Sequence, residues 1–469
     1  RHANALRVDW ADVLAPGDCS YIVGNPPFVG HQWRTAAQME DMHATWGTEG
    51  KFGRLDYVTC WHRKAVEYMQ RNLSIQTALV STNSICQGEQ VGTLWSWLLA
   101  QGVQLAFAHR TFKWSNEGRG VAAVHCIILG FGLQAPLARR IFDYGEHIAG
   151  EGTEWAASHI NPYLVDAPDV ILPSRVETPP GLPRLIKGSQ PTDGGNLILS
   201  GDEARALRAA EPAAKKYLKR YVGGDELLNG GERWCLWLKD ADPTELRSLP
   251  EVMRRVRAVA QFRQGSPTAS VREFAARPTL FTQDRQPARA FLALPEVSSE
   301  RRRFIPIAFL QPSVVVSNKV QVVEGATLWH FGLLCGTMHN AWMRTVAGRL
   351  ESRYSYSPAV YNNYPWPQQP TDKQRAAIEA AAQGVLDARA QHPQATLADL
   401  YDPLTMPTEL VKAHAALDRA VDAAYGYKGG KDDASRVAFL FGLYQQLAAP
   451  LDVPARPTRR RRAKPLDNS

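Results

Sequence analysis

Residues 21–30 read Tyr-Ile-Val-Gly-Asn-Pro-Pro-Phe-Val-Gly. The first residues have the apolar, β-branched character of a short strand, and Asn25-Pro26-Pro27-Phe28 follows as a turn because proline cannot continue a hydrogen-bonded element. A strand that runs into such a turn places it at the carboxyl edge of a sheet, where α/β proteins bind ligands. The alternative is a purely structural proline-rich turn with a buried Phe28.

Around this turn, residues 1–150 alternate apolar strands with amphipathic stretches, which predicts an α/β sheet. The predicted strands lie at 21–23, 77–80, 105–109 and 121–131, and the predicted helices at 55–71 and before 99. A stretch rich in Pro and Gly over 151–200 places the first domain boundary near residue 150.

Three further segments follow the first one. Residues 158–364 mix short strands, turns and helices without an α/β rhythm, which predicts an α+β domain. Residues 365–450 have helical spacing, with Ala-rich runs at 378–390 and 410–425. Residues 451–469 are rich in Pro and Arg, and we expect this basic tail to be disordered.

The composition is that of a globular protein with more than one domain. The chain has 469 residues, of which 45% are hydrophobic and 21% charged, and no apolar run approaches the roughly 18 residues of a membrane span. Six cysteines stand singly, without a CxxC pair, and the histidines show no metal-binding spacing. We therefore expect reduced core thiols, a cytoplasmic protein, and no metal or membrane partner.

The net charge of +8 is unevenly distributed. Residues 251–310 carry eleven Arg, no Lys and five acidic residues, and Arg459-Arg460-Arg461-Arg462 lies near the end. Arginine forks suit phosphate oxygens and guanine edges, so this segment predicts a polyanionic partner. For any single arginine, a solvated surface position is the alternative.

The turn at Asn25 has a specific chemical capability. An exocyclic amine on a base is a poor nucleophile because its lone pair is delocalised into the ring. The side-chain oxygen of Asn25 and the carbonyl of Pro26 could accept both amine protons, which would free that lone pair. Phe28 offers a face on which a flipped base could stack.

Asn-Pro-Pro-Phe is the motif of class I amino-methyltransferases that act on adenine N6. Other stretches narrow the resemblance: PTDGGNL at 191–197, RWCLW at 233–237, SSERRRFIP at 298–306, MHNAWMR at 338–344, YSYS at 354–357, VYNNYPWP at 360–367 and LYDPLTMP at 400–407. Together they resemble the type IIL restriction–modification family, in which one chain carries a nuclease, an adenine methyltransferase and a target-recognition domain. The resemblance covers nearly the whole chain.

This resemblance implies a partial class I methyltransferase sheet with its first strands missing, then an α+β target-recognition domain and a C-terminal helical segment. It also implies methyl transfer from S-adenosylmethionine to adenine N6 of a flipped base in double-stranded DNA, in the bacterial cytoplasm. Asn25, Pro26 and Pro27 would form the turn that holds the target amine, and Phe28 would stack on the base. The oligomeric state stays open.

Three further residues of the methyltransferase segment acquire roles from the resemblance. Asp9 resembles the acidic residue that contacts the adenine of S-adenosylmethionine, with an N-cap or turn role as its alternative. Phe112 or Trp114 would supply a second aromatic ring against the flipped base, although either could belong to the core.

In the recognition segment, the resemblance suggests two groups of charged residues. Lys319, Glu351 and Arg353 are the candidate base readers, and Arg301, Arg302 and Arg303 are the candidate phosphate ligands. An ordinary surface charge is the alternative for each.

The Gly-rich cofactor loop of the family should precede Asp9 and is not in this chain. Gly130-Phe131-Gly132 follows a strand, but Pro136 obstructs the helix that should come next, which favours a simple strand-end turn. We therefore expect the chain to be the C-terminal part of a longer enzyme. One alternative function is a non-catalytic DNA-specificity module. Another is a methyltransferase acting on protein glutamine or RNA, which the long segment after the catalytic domain disfavours.

Overall fold

The computed structural model describes residues 2–48, 52–114, 124–145, 150–350 and 352–448. The strands of this part of the chain are β1 (Tyr21–Gly24), β2 (Gln76–Thr82), β3 (Gln104–Trp114), β4 (Val124–Gly132), β5 (Arg139–Asp143), β6 (Thr153–Ala157), β7 (Leu185–Lys187), β8 (Ile198–Ser200), β9 (Leu218–Val222), β10 (Arg233–Leu236), β11 (Phe291–Pro295), β12 (Val297–Ser298), β13 (Ala308–Leu310), β14 (Val314–Val316), β15 (Val320–Glu324), β16 (Gly348–Leu350) and β17 (Arg353–Ser355). The α-helices are α1 (Ala36–Trp46), α2 (Thr59–Met69), α3 (Glu89–Ala100), α4 (Gly201–Ala210), α5 (Gly224–Asn229), α6 (Pro243–Arg247), α7 (Pro250–Gln264), α8 (Ala269–Glu273), α9 (Leu328–Cys335), α10 (Thr337–Val346), α11 (Pro358–Asn362), α12 (Asp372–Ala390), α13 (Leu397–Leu400), α14 (Thr408–Tyr425) and α15 (Asp433–Ala448).

The N-terminal domain is built on a six-stranded sheet with the order β1-β2-β4-β3-β5-β6. Strands β1 and β2 are parallel, and β4 is antiparallel to both of its neighbours, β2 and β3. One face of β2 packs against α2, where the hydroxyl of Thr77 lies 3.1 Å from the sulfur of Met69 and that of Ser81 lies 3.3 Å from His62. The predicted α/β sheet is confirmed, and it continues through β6 to Ala157.

Strand β1 lies at one end of this strand order, and in the described chain only β2 pairs with it. The side chains of Tyr21 and Val23 on β1 are 74% and 80% exposed. In contrast, alternate residues of β2 are buried. The turn at Asn25 therefore follows an open edge strand.

The first glycine of the Gly130-Phe131-Gly132 motif packs against an aromatic ring within the sheet. All three residues lie within β4 rather than at a turn. A Cβ on Gly130 would come within 2.1 Å of the Phe107 ring, so only glycine lets this ring lie against the sheet. The motif is therefore part of the sheet packing and not a candidate cofactor loop.

The middle segment forms two four-stranded sheets, ordered β14-β9-β10-β8 and β13-β11-β15-β7, and a three-stranded sheet ordered β12-β17-β16. Their pairings are antiparallel except for β14 with β9. Helix α7 covers the first of these sheets, and a separate cluster of buried apolar side chains fills the space between them. The predicted α+β domain is confirmed.

The C-terminal segment is helical, as the sequence predicts. Helices α12 and α14 pack together and against α9, whereas α15 packs against α10. The largest cluster of buried apolar side chains connects these helices to the N-terminal sheet. Threonine 371 caps α12 through a capping box, and Gly426 ends α14 with a φ of 64°.

Part of the Arg-rich segment is structural. The guanidinium of Arg263 is fully buried and donates to the carbonyls of Pro191, Thr192, Phe274, Arg277 and Leu280. Arg255 lies 2.9 Å from Glu203, and Arg254 lies 2.6 Å from Glu251. Arg263 and Arg255 are therefore structural members of the segment, whereas Arg254 pairs with Glu251 within the same helix and stays largely exposed.

Two expectations from composition concern the interior. All six cysteines are free and buried, which confirms that they are core thiols. Within the described residues, no helix is long and apolar enough to cross a membrane, and no group of three His, Cys, Asp or Glu side chains could hold a metal ion. The predicted tail at 451–469 lies outside the described residues.

Candidate functional site at the carboxyl edge of the sheet

The proline turn lies where the sequence predicts it, directly after β1 at the carboxyl edge of the sheet. Asn25 and Pro27 are exposed, Pro26 is buried and Phe28 is half-buried. This arrangement anchors the turn through Pro26 and leaves the amide of Asn25 accessible to a ligand. Because β2 is parallel to β1, Thr82 at the end of β2 reaches the same edge.

Asp56 supports the turn, and sequence reasoning did not find it. Its side chain is only 6% exposed and accepts hydrogen bonds from the hydroxyls of Thr82, at 2.9 Å, and Ser84. The next residue, Tyr57, donates its backbone N–H to the carbonyl of Val29, 3.0 Å away and one residue beyond Phe28. No local pattern in the sequence indicates this contact, because Thr82 and Ser84 lie 26 and 28 residues from Asp56 along the chain.

Two buried donors at this edge have no hydrogen-bond partner among the described residues, namely Nδ2 of Asn83 and Nη1 of Arg34. Burial lowers the pKa of Arg34, although the nearby Cys60 and Asp56 act in the opposite direction. An unpaired buried donor costs about 1–3 kcal/mol, so both groups could bond to an acceptor atom of a ligand. Neither residue was singled out from the sequence.

Phe112 lies at the same edge as the turn. The strand register places it opposite Cys126, which is in turn opposite Thr82. With about 4.8 Å between strands, the three steps from β1 to β3 span about 14 Å. The Phe112 ring is half-buried, 5.0 Å from that of Tyr144. The side chain of Trp114, the other candidate, lies outside the described residues.

Asp9 lies in the segment before β1. Its side chain caps a 3₁₀ turn by accepting from the backbone N–H of Ala11 at 3.0 Å, and it pairs with Arg71 at 3.2 Å. These two interactions, the Ala11 hydrogen bond first, lower the pKa of Asp9. The N-cap alternative thus describes its contacts, while its side chain remains 49% exposed.

The three-stranded sheet and its margins bring the candidate DNA-contacting residues together. The register pairs Ser298 with Tyr354, so Arg353 at the start of β17 lies close to the turn that carries Arg301. The backbone carbonyl of Lys319 accepts a hydrogen bond from the backbone N–H of Glu296, which lies beside β12. The ammonium of Lys319 also lies 3.3 Å from the carboxylate of Glu296. Glu351 lies outside the described residues.

The three consecutive arginines are not equivalent. Arg301 and Arg303 are exposed, whereas Arg302 is half-buried and its Nε has no hydrogen-bond partner among the described residues. Burial lowers the pKa of Arg302, and Asp402 partly offsets this effect. Arg301 and Arg303 are therefore better placed than Arg302 to meet a phosphate in solution.

The β16–β17 hairpin lies against the loop that follows β2, since a Cβ added to Gly88 would lie 2.9 Å from the Cα of Gly348. The backbone N–H of Gly88, which follows β2, donates to the carbonyl of Val346 at 3.2 Å. The turn at Asn25 and the candidate DNA-contacting residues therefore belong to two domains in direct contact.

Comparisons with known proteins agree with this organisation. A family model described as the MmeI DNA-methyltransferase domain matches residues 1–143, the MmeI target recognition domain matches 166–368, and the MmeI C-terminal domain matches 370–452. DNA methyltransferase A of Bacillus subtilis (strain 168) is 35% identical over 451 residues, covering 95% of this chain and 50% of that protein.

A solved structure is also similar to this chain. The type IIL restriction–modification enzyme MmeI in complex with DNA has 48% sequence identity and a TM-score of 0.88, over 96% of this chain and 60% of that chain. The chain thus spans between half and three-fifths of the length of these relatives. With its three adjoining domain matches, the chain belongs to the type IIL restriction–modification family.

Proposed function

We propose that this chain provides the methyltransferase and target-recognition parts of a site-specific DNA adenine methyltransferase within a restriction–modification protein. The reaction would transfer a methyl group from S-adenosylmethionine to adenine N6 of a base flipped out of double-stranded DNA, in the bacterial cytoplasm. The observation that carries the proposal is the turn after β1 at the carboxyl edge of the sheet, where α/β proteins bind ligands; there Asn25 is exposed and Pro26 is buried.

The turn would act by accepting hydrogen bonds from the substrate amine. The Oδ1 of Asn25 and the carbonyl of Pro26 would each take one amine hydrogen, which directs the nitrogen lone pair out of the ring plane. Asn25 and Pro26 would thus hold the amine nitrogen ready to accept the methyl group, and the amine would lose one proton to solvent. Phe28, with Phe112 or Trp114 across the edge, would stack on the flipped base.

The cofactor would supply an electrophilic methyl group on a sulfonium ion. Asp9 fits one part of such a molecule, since its half-exposed carboxylate could accept hydrogen bonds from an adenine amine. The cofactor would then compete with Arg71 for this carboxylate, which lies 3.2 Å from the Arg71 guanidinium.

DNA recognition would divide between two kinds of contact. Lys319, Glu351 and Arg353 would read base edges, while Arg301 and Arg303 would hold phosphates and fix the register. Exposure supports this division for the described residues, because the side chain of Lys319 is 69% exposed and Arg353 is also exposed. The relative in complex with DNA is consistent with the same partner.

The test is an Asn25→Ala substitution in the full-length gene product. Methyl transfer from tritiated S-adenosylmethionine should fall by more than about 10-fold, because the lost acceptor acts in the transition state. DNA affinity measured by fluorescence anisotropy should change little. Asn229→Ala, at an exposed asparagine on α5, is the matched control and should leave both quantities unchanged.

Two outcomes would contradict the proposal. Methyl transfer by Asn25→Ala at more than about a tenth of the wild-type rate would remove the turn from the chemistry. Tight, specific DNA binding by the wild type without methyl transfer would favour the alternative, a non-catalytic DNA-specificity module.

A further inference from the structure

Two glycines, Gly88 and Gly348, lie close together where the recognition hairpin meets the loop after β2. A Cβ on Gly88 would lie 2.9 Å from the Cα of Gly348, and Gly88 has a φ of +66°. The N–H of Gly88 also donates to the Val346 carbonyl just before the hairpin. The loop after β2 and strand β16 therefore touch through their backbones.

Arg349, next to this contact, connects the loop to the hairpin turn. Its Nε donates to the side-chain oxygen of Gln87 at 3.2 Å, and its Nη1 donates to the carbonyl of Ser352 at 2.8 Å. Its Nη2 donates to the hydroxyl of Tyr354 at 3.3 Å, and the guanidinium lies 4.3 Å from the centre of the same ring. One side chain thus fixes the hairpin turn and the loop together.

Ser84 of this loop and Gln90 at the start of α3 contact Asp56, which supports the turn at Asn25. Gln90 accepts the backbone N–H of Asp56 at 2.8 Å, and the Asp56 carboxylate accepts from the hydroxyl of Ser84 in the same loop. Tyr57 then holds the carbonyl of Val29 at 3.0 Å. Hydrogen bonds, joined by short stretches of backbone, therefore connect the hairpin that carries Arg353 to the residue after Phe28.

We propose that Arg349 and Gln87 are positioning residues that couple engagement of the DNA site by the hairpin to the placement of the base-binding turn. This inference rests on the proposed methyl transfer. A hairpin seated on its correct site would hold the loop through Arg349, and the loop would hold the turn through Asp56. The rate of methyl transfer is sensitive to such placement, since a displacement of about 1 Å can cost about 100-fold.

The experiment uses the full-length gene product under single-turnover conditions, with saturating DNA and tritiated S-adenosylmethionine. Gln87→Ala should lower the methyl-transfer rate at the correct site by about 10-fold or more, while DNA affinity changes by less than about 3-fold. Gln87→Glu should retain the rate, because a carboxylate also accepts from the Arg349 fork. Arg349→Lys should behave like Gln87→Ala, since an ammonium lacks the planar fork that spans three partners.

Arg375→Ala provides a matched control, because its guanidinium also lies over an aromatic ring, 4.7 Å from that of Trp329. It should leave the rate and the affinity unchanged. Melting temperatures of the two Gln87 variants should be similar, so that a difference in rate between them reports positioning rather than folding.

Several results would overturn the inference in distinguishable ways. A Gln87→Ala rate equal to that of the wild type would show that the loop contact does not position the turn. A loss of DNA affinity as large as the loss of rate would place Gln87 or Arg349 among the DNA ligands instead. Absence of methylation by the wild type would contradict the proposed function and would overturn this inference with it.

Discussion

Replacement of Gly88 by alanine should destabilise the contact between the two domains. The backbone of Gly88 has φ of +66° and ψ of −147°, close to a region that only glycine occupies readily. An added Cβ would also stand 2.9 Å from the Cα of Gly348, a distance that real Cβ atoms essentially never show. The obstacle is backbone rather than a flexible side chain, so one of the two chains must shift.

The magnitude separates into two parts. Backbone strain should cost about 1–3 kcal/mol, and the forced displacement of packed backbone should cost about 2 kcal/mol more. Gly47→Ala serves as the control that measures backbone strain without a clash. Gly47 has a similarly restricted φ of +80° and ψ of 176°, and a Cβ added to it would meet nothing within 4 Å. The difference between Gly88→Ala and Gly47→Ala therefore isolates the contact with Gly348.

The assay is thermal unfolding of the three glycine variants and the wild type. Gly88→Ala should melt roughly 4–8 °C below Gly47→Ala, as about 2 kcal/mol predicts for domains of this size. Gly348→Ala should melt close to the wild type, because its Cβ would lie 3.7 Å from Gly88, an ordinary contact. Equal melting temperatures for Gly88→Ala and Gly47→Ala would refute the reasoning that these backbones touch.

Three other predictions concern pH, recognition and thiol reactivity. Burial lowers the pKa of His62 and of His339 to about 4, so the unfolded chain binds more protons than the folded chain as the pH falls below about 6.5. The free energy of unfolding should therefore fall by about 2 kcal/mol per histidine between pH 7 and pH 5. Urea unfolding at the two pH values would measure this loss. Binding of the Arg353→Ala protein to single-base variants of the DNA site should show one base preference relaxed by about 1–3 kcal/mol. The Arg301→Ala protein should bind all sequences more weakly, and the salt dependence of its affinity, measured at two salt concentrations, should fall by about one unit of slope. A uniform loss of affinity from Arg353→Ala would instead make Arg353 a phosphate ligand. Burial raises the pKa of Cys60 to about 11, so a thiol reagent at pH 8 should modify Cys60 only as the protein unfolds; prompt modification would contradict its burial.

The spacing of apolar residues along the sequence predicted much of the fold, because this spacing depends on which side chains face the core. The apolar strand predicted at 77–80 and the helical spacing at 410–425 correspond to β2 and α14. The helix predicted over 55–71 begins only at Thr59. Leu55, Tyr57 and Val58 are buried and continue the apolar pattern although they precede the helix, where Asp56 and Tyr57 donate their N–H groups to Gln90 and Val29.

The candidate site shows a similar division. The turn at Asn25 could be predicted because proline, asparagine and the preceding strand fix its position through local geometry. Asp56, Gln87 and Arg349 could not be found in this way, since their roles depend on partners far away in the sequence. The composition of the Arg-rich segment also could not separate Arg263, which is buried among carbonyls, from arginines that face solvent.

The most direct test of the central claim is long-read sequencing of DNA from cells that express the full-length gene. We expect N6-methyladenine at one defined sequence motif with the wild-type gene, and its loss with Asn25→Ala when the variant is present at the same level. Methylation of the same motif by Asn25→Ala would contradict the role of the turn. Modified cytosine in place of adenine would contradict the assignment of the substrate.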